Sequence, residues 1–172
     1  MLGLEKGTVR IVPHHASWRD VFERERRLLQ EHIGGQVLTI QHVGSTAVPG
    51  LDAKPIIDIA VAVASPAVIP SIRPLLCALG YIGRGDAGMD GGYLFVKERA
   101  PEVRTHHLHV VAIDDPQWRN YLRFRNMLRT DGVVRTRYGE LKKSLQEQFA
   151  HDRKAYTDGK HDFIRGVLGD TM

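Results

Sequence analysis

The chain has 172 residues, 42% of them hydrophobic and 26% charged, which excludes a disordered tail and predicts a single domain over 1–172 with a sizeable core. Cys77 is the only cysteine, which excludes an internal disulfide; the longest nearly apolar stretch, Pro55 to Ile69, is interrupted by Asp58 and Pro66 and falls short of the roughly 20 apolar residues of a membrane-spanning helix. With no export leader in MLGLEKGTVRIV, a cytoplasmic location is expected, and a formal charge of +4 with nine histidines fits either anionic partners, nucleotides and phosphates among them, or a solvated mixed-charge surface.

TVRIV (8–12) reads as a short strand. SWRDVFERERRLLQEHI follows as an amphipathic helix, with Ser17 as N-cap, Asp20 at the capping-box position, and Trp18, Val21, Phe22, Leu28, Leu29 and Ile33 at helical spacing. Gly34 and Gly35 end it, and VLTIQHV (37–43) is a strand running into a loop over 44–53. PIIDIAVAV (55–63) is apolar on both faces apart from Asp58, the pattern of a strand in the middle of a sheet. In SPAVIPSIRPLLCALGY, Pro70 and Pro74 predict a broken or two-piece helix, and GRGDAGMDGGY (83–93) reads as a glycine-rich mobile connection.

YLFVKE (93–98) and THHLHVVAI (105–113) are two further strands joined by a polar turn at RAPE. Asp115 and Pro116 are the N-cap and first-turn signals of PQWRNYLRFRNMLR, and YGELKKSLQEQFAHD with HDFIRGVL completes a helical C-terminal region. In AYTDGKHDFI (155–164), a turn and helix cap account for Thr157, Asp158 and Gly159. The class is α/β or mixed α+β, without regular βαβ alternation.

Asp58 poses the chemical problem. An aspartate inside a buried apolar strand costs several kcal/mol unless it meets a partner, a metal or a ligand. Gly44-Ser45 closes the preceding strand and twelve residues intervene, so a hairpin-like pair would set a glycine turn and a hydroxyl beside the carboxylate. Such a turn can cradle phosphates while the carboxylate holds a divalent cation, the geometry of phosphoryl or nucleotidyl transfer.

A hydrophobic residue, Gly-Ser, a spacer and an apolar strand bearing Asp resemble the pattern of the nucleotidyltransferase superfamily, the fold of polymerase-β-like enzymes. HVGSTAVPGLDAKPIIDI, RTHHLHVV, FRNML and AYTDGKHDFI together resemble the GrpB family over nearly the whole chain. The resemblance implies a nucleotidyltransferase-like mixed β-sheet flanked by helices, some members being fused to an enzyme of coenzyme A synthesis. One departure stands out. Similar nucleotidyltransferases carry a second acid two residues after the first, on the same strand face, and here that position is Ala60.

His107 and His109 alternate with Leu108 and Val110, so both imidazoles leave one strand face. If that strand lies beside the Asp58 strand, as the third-carboxylate strand does in the superfamily, Asp58, His107 and His109 form a metal set suited to Mn, Fe, Zn or Ni more than to Mg. The other readings of these histidines are structural hydrogen bonding and direct phosphate binding.

Ser45 joins Asp58 as the catalytic pair, and His42, Gly44, Ser45 and Thr46 of the same motif form a nucleotide site; the hydroxyls either hold phosphate or cap the turn. Lys54 either meets a phosphate or is a solvated loop lysine. Tyr93 and Lys97 share a strand face with Phe95, either a base-stacking platform or an amphipathic outer surface. Arg125 of the FR motif, with Tyr156 and Lys160 of the C-terminal motif, are assigned by the resemblance to the anion pocket. The reading is a metal-dependent nucleotidyl- or phosphoryl-transferase that uses a nucleoside triphosphate or phosphorylated small molecule, with an inactive nucleotide- or phosphate-binding domain of the same fold as alternative. A histidine-triad hydrolase would need a third alternating His where Val111 stands, and the arginines lack a nucleic-acid docking motif.

Overall fold

The computed structural model describes residues 1–86 and 92–169. Six strands form one mixed sheet: β1 (Leu4–Glu5), β2 (Thr39–Val43), β3 (Ile57–Val63), β4 (Tyr81–Asp86), β5 (Tyr93–Ala100) and β6 (Val103–Ala112). Their order is β2-β3-β6-β5-β4, with β1 pairing β6 off that path. Only β3 and β6 run parallel; the other pairs are antiparallel. The helices are α1 (Ser17–Ile33), α2 (Ile69–Ala78), α3 (Pro116–Thr130), α4 (Gly132–Phe149) and α5 (Arg153–Leu168). This mixed α/β sheet, flanked by helices and followed by a helical C-terminal region, is the expected class.

The two faces of the sheet follow from alternation along the strands. Ile57, Ile59, Val61 and Val63 of β3, with Leu108 of β6 and Phe95 of β5, meet Trp18, Phe22, Leu29 and Ile33 of α1 and Ile72 and Leu76 of α2. Each fully buried Leu, Ile or Phe here contributes about 1.5–3 kcal/mol. On the opposite face the small Ala60 and Ala62 pack with Val111 under Trp118 of α3. Leu128 and Tyr138 then join α3 and α4 to the 44–53 segment through Val48 and Leu51.

Several local expectations are corrected. Residues 8–12 form no strand: Val9 donates to the Ala150 carbonyl, and Val12 makes a single bridge to Ala53. Their alternation is used instead by packing Val9 against Leu145 and Tyr156 of the C-terminal helices. Ser17 does not cap α1, because Ala16 is the cap residue, and the Ser17 hydroxyl lies 2.6 Å from His15 Nδ1. The Asp58 strand β3 is interior as expected, flanked by β2 and β6, although β6 holds the central place.

Pro70 sits in the first turn of α2, after a short 3-10 turn at Pro66–Val68, as two-piece architecture predicts, but Pro74 lies inside α2 without ending it. Gly83 to Asp86 belong to β4, paired to β5 through a bulge between Gly83 and Gly85, and Tyr93 begins β5; residues 87–91 of the expected mobile connection lie outside the described residues. Thr157, Asp158 and Gly159 sit within α5, whose N-cap is Asp152. A Cβ at Gly159 would stand 2.6 Å from Leu145 Cδ2, so glycine there lets α5 lie close on α4. No described helix is long and apolar enough to cross a membrane.

Candidate functional site: a cationic pocket around Asp58

The β2–β3 hairpin sets Val43 opposite Asp58, and the parallel β3–β6 pairing sets Asp58 opposite His107 and Ala60 opposite His109. The two strands are neighbours, the condition on which the sequence placed Asp58, His107 and His109 together, and alternation sends all three side chains to the α3–α5 face. Asp58 Oδ1 lies 3.4 Å from His107 Nδ1 and 3.8 Å from His109 Nε2. About a third of the Asp58 side chain, 31%, opens to solvent through the pocket. Burial would push its carboxyl up, yet hydrogen bonding from His107 and His109 holds it well below the usual carboxylate range. Asp58 is therefore ionised across physiological pH.

Gly44 makes this approach feasible. Its φ is 72°, and a Cβ there would meet Asp58 Oδ2 at 2.5 Å. Only glycine satisfies both the left-handed backbone and the contact. The 3-10 turn Ser45–Ala47 follows and brings Ser45 and Thr46 to the pocket.

Arg153 Nη2 donates to His107 Nε2 at 3.0 Å, which leaves the Nδ1 proton of His107 facing Asp58. Burial pushes the His107 pKa down despite that carboxylate, so the ring is neutral. His109 Nδ1 is buried with no hydrogen-bond partner among the described residues.

The cavity beneath α3, α4 and α5 has a volume of about 330 Å³, the lower end of the small-ligand range. Lys54, Lys142, Lys160 and Arg153 line it. Tyr156 lies under two lysine amines, Lys54 Nζ at 5.1 Å and Lys160 Nζ at 4.8 Å from its ring centroid. Lys54 is thus a pocket residue and not a solvated loop lysine, and burial, with repulsion from Lys160 and Arg153, depresses its pKa strongly. Lys142 Nζ donates to Ser45 Oγ at 2.9 Å and to the Asp52 carbonyl. Leu94, Tyr121, Phe124 and Ile164 supply apolar wall.

Four expected site residues lie elsewhere. Tyr93 and Lys97 point to the α1–α2 face, the same alternation that turns Leu94 into the pocket; Lys97 Nζ pairs with Glu25 of α1 at 2.8 Å, and Tyr93 packs with Phe95. His42 also faces α1, stacked on Phe22 with ring centroids 4.6 Å apart, its Nε2 2.9 Å from Thr46 Oγ1. Arg125 reaches the Gln41 side chain and the His42 carbonyl along the β2 edge. Conversely, the sequence reading passed over Lys142, Arg153 and Tyr138. A signal existed for Lys142: Tyr138, Lys142 and Leu145, the buried positions of α4, follow helical spacing, so a lysine sits on an otherwise apolar stripe.

The fit to a metal is poor. Among the described residues no group of three or more His, Cys, Asp or Glu could hold a metal ion. The second-acid position is Ala60, buried against Trp118, and among the described residues the only carboxylate lining the cavity, Asp58, is outnumbered by the lining cationic side chains. The arrangement suits an anion better than a bare divalent cation.

The GrpB family model, described as GrpB protein, matches residues 8–170. The chain is 38% identical to the glutamate-rich protein GrpB of Alkalihalophilus pseudofirmus, over 99% of each chain. It is 37% identical to the UPF0157 protein PA4798 of Pseudomonas aeruginosa, over 95% of this chain and 68% of that one. The crystal structure of the conserved protein GrpB from Enterococcus faecalis superposes with a TM-score of 0.83 at 32% identity, covering 94% of this chain and 96% of that one. By sequence and by fold, the chain belongs to the GrpB family.

Proposed function

We propose that this protein binds a phosphorylated small molecule, with a nucleotide as the best-fitting class, in the pocket on the α3–α5 face. One observation carries the reading: Lys54, Lys142, Lys160 and Arg153 converge on a cavity of about 330 Å³ whose described lining contains a single carboxylate. Phosphate oxygens would meet the ammonium and guanidinium groups near the Ser45–Thr46 turn, while the apolar wall of Tyr121, Phe124 and Ile164 accepts a base or other flat group. Neutral His107, its Nδ1–H toward Asp58 and its Nε2 accepting from Arg153, holds the carboxylate and the guanidinium in place without adding charge.

Metal-dependent nucleotidyl or phosphoryl transfer is the second reading, favoured by the one ionised carboxylate open to the pocket. A divalent cation arriving with a nucleoside triphosphate would find Asp58 as its protein ligand, and would supply charge neutralisation at the phosphates.

Calorimetric titration with ATP, CTP and inorganic pyrophosphate separates these readings. Binding weakened at least about tenfold in Lys160→Gln is expected, the loss of roughly one charge-assisted hydrogen bond; equal affinity in wild type and variant would remove the pocket from consideration. Label transfer from nucleotide to an acceptor panel, abolished by Asp58→Asn, supports the enzyme; tight binding without transfer supports the binding domain.

A further inference from the structure

Lys142 and Ser45 form a juxtaposition that anion binding does not require. Lys142 is 2% exposed, and its Nζ lies 2.9 Å from Ser45 Oγ. Ser45 itself is half-buried and lines the cavity. Tyr138, one turn before Lys142 on α4, has its ring centroid 5.0 Å from the ammonium, and its phenol hydrogen-bonds Ser45 while burial keeps it protonated. A buried amine beside a hydroxyl that faces a ligand cavity is the arrangement in which a serine is activated by a lysine.

The electrostatics favour a basic amine. Burial draws the Lys142 pKa down to about 7; Lys160 of α5 and Lys143 of α4 lower it further, against Asp52 and Asp58, which favour the charge. Near neutral pH a substantial fraction of the amine is free to accept a proton, which an exposed lysine near 10.4 is not.

We propose that Ser45 and Lys142 are a nucleophile–base pair, and that transfer in this pocket runs through a covalent seryl–phosphorus intermediate on Ser45. Ser45 Oγ bonds to the phosphorus of the donor as the bond from phosphorus to the leaving oxygen breaks. The hydroxyl proton passes to Lys142 Nζ, which delivers it to the departing oxygen. An acceptor hydroxyl or water then gives its proton to the neutral Lys142, its oxygen displaces Oγ, and Oγ takes that proton back. The donor class rests on the phosphate reading above; the nucleophilicity of Ser45 does not.

The experiment uses the full chain and an alkyl fluorophosphonate, which needs no cationic pocket: the Oγ–P bond forms, P–F breaks and fluoride leaves. Peptide mass spectrometry should find one adduct, on Ser45, with a labelling rate that rises with pH through about 7 and then levels. Lys142→Arg keeps the charge but not the base, and should slow labelling about 10²-fold, while Ser45→Ala removes the adduct. The pH profile of the wild type needs no variant and so stands even if Lys142→Arg misfolds. Absence of a Ser45 adduct, equal rates in wild type and Lys142→Arg, or a rate that climbs with pH without a plateau overturns the pair. Inorganic pyrophosphate added to the same reaction distinguishes the two ideas. Protection supports both; labelling without protection supports the pair and removes the phosphate reading; pyrophosphate binding without an adduct does the reverse.

Discussion

The two faces of one sheet treat their charged residues differently. On the α1–α2 face Glu25 accepts from Tyr81 at 2.7 Å and from Lys97 at 2.8 Å. Burial would raise the Glu25 carboxyl, and those two bonds hold it below its ordinary value instead. On the α3–α5 face, one strand position away, cations outnumber the carboxylate and a cavity opens. Neighbouring residues on one strand, His106 and His107, therefore serve different ends: one is sealed near Glu25 and Lys97, and the other stands between Asp58 and Arg153. Period-2 alternation lets a single strand contribute to a closed layer on one side and line a cavity on the other. Charge is balanced in the closed layer, whereas in the open layer cationic side chains outnumber the carboxylate among the described lining residues, and it is there that the proposed ligand would sit.

That contrast can be broken most strongly by acid. His42 and His106, both 7% exposed on the closed face, are pushed by burial to a pKa of about 4. Their folded pKa values lie below the unfolded value of 6.5, so the unfolded chain binds more protons between pH 6.5 and 4 and stability falls as pH falls. From pH 7 to pH 5 the pair should cost about 4 kcal/mol, read by urea denaturation at the two pH values; a flat profile would mean that these rings are not sealed.

Glu25→Ala comes next. It strands Lys97 and the Tyr81 hydroxyl, and should cost about 3 kcal/mol of stability while leaving pyrophosphate affinity unchanged in titration. Gly44→Ala follows, at about 2 kcal/mol, because it imposes a left-handed φ on alanine and pushes Asp58; unlike Glu25→Ala it should abolish ligand binding as well, since the displaced group lies in the pocket. The smallest effect has the opposite sign. Lys142→Met replaces a buried, partly charged amine with an apolar side chain and should raise stability by about 1 kcal/mol, measured by denaturant midpoint at pH 7, while weakening phosphate binding. A stabilised variant that also binds normally would erase the distinction between the faces.

Much of this was legible in the chain itself. Helical spacing located α1, the Asp115-Pro116 pair marked the start of α3, and Asp58 within apolar neighbours announced its own need for company. The HxH alternation correctly put both imidazoles on one face, beside β3. Lys97 and Tyr93 illustrate the limit. Alternation groups residues on a face but does not say which layer covers that face, and the answer depended on where α1 packed. Residues 8–12 show the same thing, since an alternating apolar segment can be used by a helix pair as readily as by a ladder.

By itself the sequence determined the mixed α/β class, the GrpB motifs and the Gly44–Ser45 turn with its carboxylate, because these rest on local spacing and on the high cost of burying an unpaired charge. Only the tertiary structure decided which charges share the cavity. Lys142 and Arg153 are distant in sequence from Ser45 and His107, and it is the folding of α4 and α5 back over the sheet, closed by Gly159 against Leu145, that brings amine to hydroxyl and guanidinium to imidazole.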